Sequence, residues 1–206
     1  MAIEFIERRL ALVNLGLVVE GDSEKSFIES KYFNDFAASL NIHICSPVIN
    51  AKGGGNLISR NIDEHIRNCR KFTKPDRIFV LTDLEHEPCI EAVKQRIGIE
   101  NADAIIVSRK AIEAWFIADY VVMSKWLKED FYHENPEIIE EKPYEFLKSY
   151  TTAKNKRGPG SHVLFAKKMI TLGFSLERAA QHLQCTSAQY FIKKLREISQ
   201  SELTIQ

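Results

Sequence analysis

The sequence predicts an α/β fold: a mostly parallel four-stranded sheet flanked by helices, with a helical C-terminal extension. Three observations predict it. Short apolar runs alternate with segments of helical period from residue 10 to about Trp126. Two of those runs stop on carboxylates, at Val18-Val19-Glu20-Gly21-Asp22-Ser23-Glu24 and at Val80-Leu81-Thr82-Asp83-Leu84-Glu85. Beyond Trp126 the strand-like runs give way to an acidic, aperiodic stretch and then to helical segments.

Each element has its own warrant. Residues 10–19 read as the first strand, with Leu15 to Val19 its buried part. Asp22 or Ser23 caps a helix over residues 24–40, with Phe27, Ile28, Phe33 and Phe36 or Ala37 on one stripe. Residues 42–49 form the second strand, followed by the loop Lys52-Gly53-Gly54-Gly55-Asn56. A helix over residues 57–72 carries Ile58, Ile62, His65 or Ile66, and Cys69 at helical spacing. Residues 77–82 are the third strand. Pro88 suits the first turn of a helix ending near Gly98. Residues 104–107 are the fourth strand, and Ser108 is placed to cap a helix running from Arg109 through Trp115. This β-α order predicts parallel strands covered on both faces.

Residues 129–142 are acidic and contain Pro136, and read as a loop with short helical pieces. Residues 151–160 contain no apolar side chain larger than Ala or Pro and form the best linker candidate. Helices follow over residues 165–172, 176–183 and 188–198, the last with Thr186 and Gln189 in capping-box spacing. The expected division is an α/β domain over 1–128 and a loop-and-helix extension over 129–206 that packs on it.

Composition narrows the function classes. The chain has 206 residues, 45% hydrophobic and 27% charged, which suits a soluble domain with a substantial core. Its formal net charge is zero, so nucleic acid must be drawn by a local patch and not by a global field. The four cysteines form no C-x-x-C pair and the six histidines show no metal-ligand spacing. That argues against zinc or a disulfide framework and suits a reducing cytoplasm. No apolar run reaches membrane-span length, and Glu4, Glu7, Arg8 and Arg9 make the N-terminus unlike a signal peptide.

The chemistry concentrates where strands end on acids. In a parallel sheet, functional groups collect at the carboxyl ends of strands. Glu20, Asp83 and Glu85 delivered to one edge would form an oxygen-rich site suited to Mg²⁺ or Mn²⁺. Glu24 reads equally as a further ligand or as an acid at a helix start. Glu113 reads equally as a metal or water-positioning carboxylate, or as a buried acid paired with Arg109 or Lys110. Gly53, Gly54 and Gly55 permit close backbone approach to a phosphate, or are simply a flexible loop. Basic residues cluster at Arg67, Arg70, Lys71, Lys74 and Arg77, and again at Lys154, Lys156, Arg157, Lys167 and Lys168. The first cluster reads as a solvated face, and the second can track a phosphate backbone. The helix pair near 176–196 has helix-turn-helix spacing, but Tyr190, Phe191, Ile192 and Leu195 dominate its second helix and favour packing over base reading.

Three motifs in order carry a family resemblance. Glu20-Gly21 with Glu24 after the first strand, Asp83-x-Glu85 after the third, and Glu113-Ala114-Trp115-Phe116-Ile117-Ala118-Asp119 after the fourth resemble the Toprim-like proteins. The closest likeness is to a bacterial group with a VEG-x-x-E, D-x-D, E-A-W-[FL]-x-A-D pattern, distantly like the OLD-class nucleases. The resemblance covers about residues 12–120, and more loosely the Cys185-Thr186-Ser187-Ala188-Gln189-Tyr190-Phe191 ending. It implies Mg²⁺-dependent phosphoryl transfer on nucleic acid, in phage defence or nucleic-acid maintenance, and raises the expectation of a partner ATPase encoded elsewhere. By the same resemblance Glu20 is a metal ligand or general acid/base, and Asp83 and the second acid, Glu85, are metal ligands. Lys154 or Lys156 corresponds to a lysine downstream of the acids in some OLD-like nucleases. Glu85 stands where the pattern has Asp, which moves that carboxylate by one methylene. The competing expectation is a catalytically silent Toprim-like domain that binds a partner protein or nucleic acid.

Overall fold

The computed structural model describes residues 12–84 and 87–201. Strand β1 (Val13–Val19) is almost wholly buried and forms the middle of the sheet. It pairs on one side with β2 (Ile42–Ile44) and β3 (Ile49–Asn50), and on the other with β4 (Arg77–Asp83), which pairs in turn with β5 (Ala104–Ser108). Every pairing is parallel. The register sets Val19 beside Leu81 and Asp83 beside Ser108, so the strands end at a common edge.

Alternation along the strands builds two cores. Leu15, Leu17, Val19, Phe79, Leu81 and Ile106 face the larger one. Val18, Val80, Ile105 and Val107 face the smaller one, under α3 (Ser59–Thr73) and α4 (Ile90–Ile97), which add Ile62, Ile66, Val93 and Ile97. Gly16 lets β1 lie close under α3. A Cβ there would stand 2.5 Å from the Cys69 sulfur and 3.0 Å from Pro75.

The larger core takes helices from both halves of the sequence. It is covered by α1 (Asp22–Ile28), α2 (Lys31–Ser39), α5 (Glu113–Ala118) and α6 (Tyr120–Leu127), then by α7 (Pro143–Ala153), α8 (His162–Thr171), α9 (Leu176–Gln181) and α10 (Thr186–Ser201). Phe27, Trp115 and Phe191 interlock within it, and Phe165 packs edge-on against Phe116. Among the described residues no helix is long and apolar enough to cross a membrane.

Several local expectations are corrected. The second strand is two pieces, since Pro47 lacks an N–H for the ladder. The helix expected over 24–40 breaks at Glu29 and Ser30. There Ser30 caps α2 by accepting from the Phe33 N–H at 3.3 Å, and the Asn34 amide donates to the Ile28 and Ser30 carbonyls at 2.9 Å each. The apolar stripe continues across the break, which is why periodicity alone passes over it. Gly21, with no side chain to offer, occupies the N-cap of α1 in place of Asp22 or Ser23. Ser108 ends β5 and caps nothing; helix α5 starts only at Glu113. The first three residues of the expected linker are the last turn of α7, where the Thr151 hydroxyl donates to the Leu147 carbonyl at 2.8 Å. Thr186 opens α10 inside the helix and forms no capping box. Glu137, from the acidic loop, accepts the Thr186 and Ser187 N–H groups at 2.9 Å each, and the Gln189 amide donates to the His182 carbonyl.

Candidate functional site

Parallel pairing brings the ends of β1, β4 and β5 to one edge, and the acids of three motifs arrive there together. Glu20 follows β1 directly. Its N–H donates to the Leu81 carbonyl at 3.0 Å, extending the ladder by one residue. Its carboxylate accepts the Thr82 hydroxyl at 2.5 Å and the Asp83 N–H at 3.1 Å. Glu20 is thus fastened across the sheet to the strand end that carries Asp83.

Asp83 closes β4 and accepts a hydrogen bond from the Ser108 hydroxyl at the end of β5. Burial raises its pKa well above the usual carboxylate range. The nearby charges of Glu24, Glu20 and Glu113 push the same way, against the Ser108 hydrogen bond. Glu24, in the first turn of α1, is 5% exposed. Burial is the main cause that lifts it to about 7, and Glu20 and Glu113 add to the effect.

Glu113 opens α5 and is 3% exposed. Its carboxylate lies 2.7 Å from Nδ1 of His162, the first residue of α8. That hydrogen bond raises the His162 pKa above its ordinary value. The imidazole is stacked on the Tyr144 ring, with centroids 3.8 Å apart and planes 18° apart. The Tyr144 hydroxyl donates to the Gly160 carbonyl.

These groups line a cavity of about 300 Å³: Ser23, Glu24, Asp83, Glu113, Tyr144 and His162, with Lys110 and Lys142 on its wall. The Lys110 ammonium is held by the Glu140 carbonyl at 3.0 Å. Glu20 lies to one side of the cavity, against Gly54. A Cβ on Gly54 would stand 3.0 Å from a Glu20 oxygen. The first N–H of the glycine loop, on Gly53, is spent on the Glu20 carbonyl at 2.8 Å. Gly54 therefore serves close packing on Glu20, while Gly55 faces open space.

Of the residues singled out from sequence, Glu24, Asp83 and Glu113 meet in the cavity and Glu20 adjoins them. Glu85 lies outside the described residues, as does His86. Lys154 and Lys156 do not reach the acids. They pair with Glu129 at 4.0 and 3.2 Å, and Lys156 also donates to the Leu127 carbonyl. The loop after α7 turns them that way, opposite to the expectation of a catalytic lysine. Sequence reasoning passed over His162, Tyr144 and Lys142 as site residues, and gave Ser108 only a capping role. The Glu113–His162 contact spans 49 residues, so no local spacing signals it.

The carboxylate donors are all oxygen, which suits a hard divalent cation, and such a cation would offset the burial and like-charge repulsion that raise Glu24 and Asp83. Among the described residues, however, no three acids, histidines or cysteines converge tightly enough to hold a metal ion. The fit is therefore one of donor chemistry and charge. Comparison of the chain with protein-family models, curated proteins and solved structures finds no match.

Proposed function

We propose that this chain is a Toprim-like, Mg²⁺- or Mn²⁺-dependent nuclease or related phosphoryl-transfer protein acting on nucleic acid. The observation that carries this reading is the gathering of the buried Glu24 and Glu113 with Asp83 in one cavity, Glu20 adjoining them, at the carboxyl edge of a parallel sheet. A fold gains nothing in stability by burying like charges together, so such a cluster is a mark of function. Glu24 and Asp83 would hold the ion, with Glu20 beside them. A bound divalent cation would neutralise phosphate oxygens and supply an activated water.

The chain's own residues supply the rest. Glu113, engaged with His162, fixes the imidazole at the cavity wall. Tyr144 restricts its rotation by stacking. In the imidazolium form, which the Glu113 contact favours, Nε2–H is left to donate to a phosphate oxygen. Lys110 and Lys142 add positive charge for a phosphate that enters.

A second reading has its own support. The Glu20 carboxylate is already engaged by Thr82 and Asp83, and no three described ligands converge. Both features suit a catalytically silent domain that binds a partner, such as an ATPase, or nucleic acid.

Incubation with single- and double-stranded DNA and RNA in Mg²⁺ and in Mn²⁺ separates the two. The nuclease reading expects cleavage, at least as fast in Mn²⁺, which tolerates less regular geometry, and loss of cleavage in Asp83→Ala. Intact substrates in both metals leave the silent-domain reading.

A further inference from the structure

The loop of residues 158–160 borders a groove of about 590 Å³. Lys128, Lys156, Arg157 and Lys168 line it, and no Asp or Glu does. In a chain with equal numbers of acidic and basic residues, that imbalance is local. The nearest acid, Glu129, is spent on Lys154, Lys156 and the Tyr150 hydroxyl. Lys128, Arg157 and Lys168 are exposed, and none pairs with a carboxylate among the described residues. Three exposed cations around one concavity, with no acid among its lining residues, set up a local positive field that favours an anionic ligand.

The rest of the groove suits a strand better than a single small anion. Gly158 and Gly160 are exposed and leave the backbone open to close approach. Trp126, seated edge-on against Phe165 at 4.9 Å, and Leu164, 64% exposed, form an apolar wall beside the cations. Cations set along a groove next to an aromatic surface are what a single strand uses, phosphates on one and bases on the other.

We propose that this groove binds the phosphate backbone of a single-stranded nucleic acid. One short loop joins the groove to the acidic cavity. Gly160 lines the groove and accepts the Tyr144 hydroxyl, and His162, two residues on, lines the cavity. A strand in the groove is thereby led toward Glu24 and Asp83. That path rests on the phosphoryl-transfer reading above; binding in the groove does not.

The test is fluorescence anisotropy with a fluorescein-labelled, mixed-sequence single-stranded oligodeoxynucleotide of about 20 nucleotides, in EDTA, across a salt series. Each phosphate neutralised on a single strand adds about 0.7 to the negative log–log salt slope. The combined Lys128→Ala, Arg157→Ala, Lys168→Ala variant is expected to bind at least about tenfold more weakly and to lose about 2 from that slope. The same three-alanine change at Arg67, Arg70 and Lys71 on α3 should leave both unchanged. All of these side chains are exposed, and matching thermal melts establish that the variants fold. Absence of binding by the parent protein overturns the proposal, and so does unchanged binding by the groove variant. Because EDTA removes metal chemistry, groove-dependent binding without cleavage in Mn²⁺ sinks the nuclease reading and leaves the groove. Cleavage that persists in the groove variant with unchanged KM does the reverse.

Discussion

Replacing Glu24 with Gln removes a charge that the fold accommodates poorly, and the size of the effect follows from its surroundings. In the unfolded chain the carboxyl ionises near 4.5, and in the folded protein at about 7. Between these values the folded protein keeps a proton that the unfolded chain has released. Stability from this group is therefore highest below pH 4.5, falls as pH rises through that interval, and levels off above 7. The interval corresponds to roughly 3 kcal/mol at about 1.4 kcal/mol per pH unit, an upper figure because Glu20, Asp83 and Glu113 readjust when Glu24 changes. Gln has the same shape and keeps a carbonyl oxygen for nearby backbone N–H groups, so it imitates the protonated acid. Urea unfolding in EDTA at a series of pH values is the assay. Glu24→Gln should match the parent near pH 4 and exceed it at pH 8 by up to roughly 3 kcal/mol, about 6–12 °C in Tm for a chain of this size. Parallel stability curves for parent and variant would refute the claim that burial and like charges act on Glu24.

Three further outcomes are expected. Gly16→Ala should cost about 1–3 kcal/mol in urea unfolding, because its methyl would overlap the Cys69 sulfur; the double change with Cys69→Ala should recover part of that. Glu137→Ala strips the Thr186 and Ser187 N–H groups at the start of α10, the second of them buried, of their acceptor and should cost about 1–3 kcal/mol, with Glu137→Gln milder; equal melting of all three proteins would show that the cap contributes nothing. The His162 ring, followed by NMR, should titrate above its ordinary value and return toward it in Glu113→Gln, since the hydrogen bond to Glu113 is the leading cause of the shift. The stabilisation from that contact is present below the ordinary histidine pKa and lost as pH rises through the raised value, so protection against hydrogen exchange at the α8 start, corrected for the intrinsic rise of exchange with pH, should fall over that range in the parent alone.

What was legible in the sequence divides along physical lines. Strands β1, β4 and β5 were readable because a parallel strand buried on both faces is an unbroken apolar run, and its end is marked by the first polar residue. The gathering of Glu20 and Asp83 followed from that, since parallel strands end together. Breaks inside elements were hidden: Ser30 interrupts a helix whose apolar stripe does not change, and Pro47 interrupts a strand flanked by apolar residues on both sides. The cap of α10 and the partner of Glu113 were beyond reach, because Glu137 and His162 come from segments 49 or more residues away in sequence. The local signals pointed elsewhere, to a capping box at Thr186 and to Arg109 or Lys110.

The Ser187 hydroxyl accepts the Trp115 indole N–H at 2.7 Å and the Arg109 N–H at 3.3 Å, and donates to Glu137. Farther along α10, the Ser199 hydroxyl donates to the Leu40 carbonyl at 2.6 Å, across 159 positions of sequence. During synthesis from the N-terminus, Glu20, Asp83 and Glu113 leave the ribosome well before Tyr144, His162 and α10. Until those later segments dock, Glu113 has no imidazole partner and the cavity lacks the wall that Tyr144 and His162 supply. The cavity and its shifted acids are therefore properties of the finished tertiary structure, and a nascent chain carries the acidic motifs without the chemistry that their burial creates.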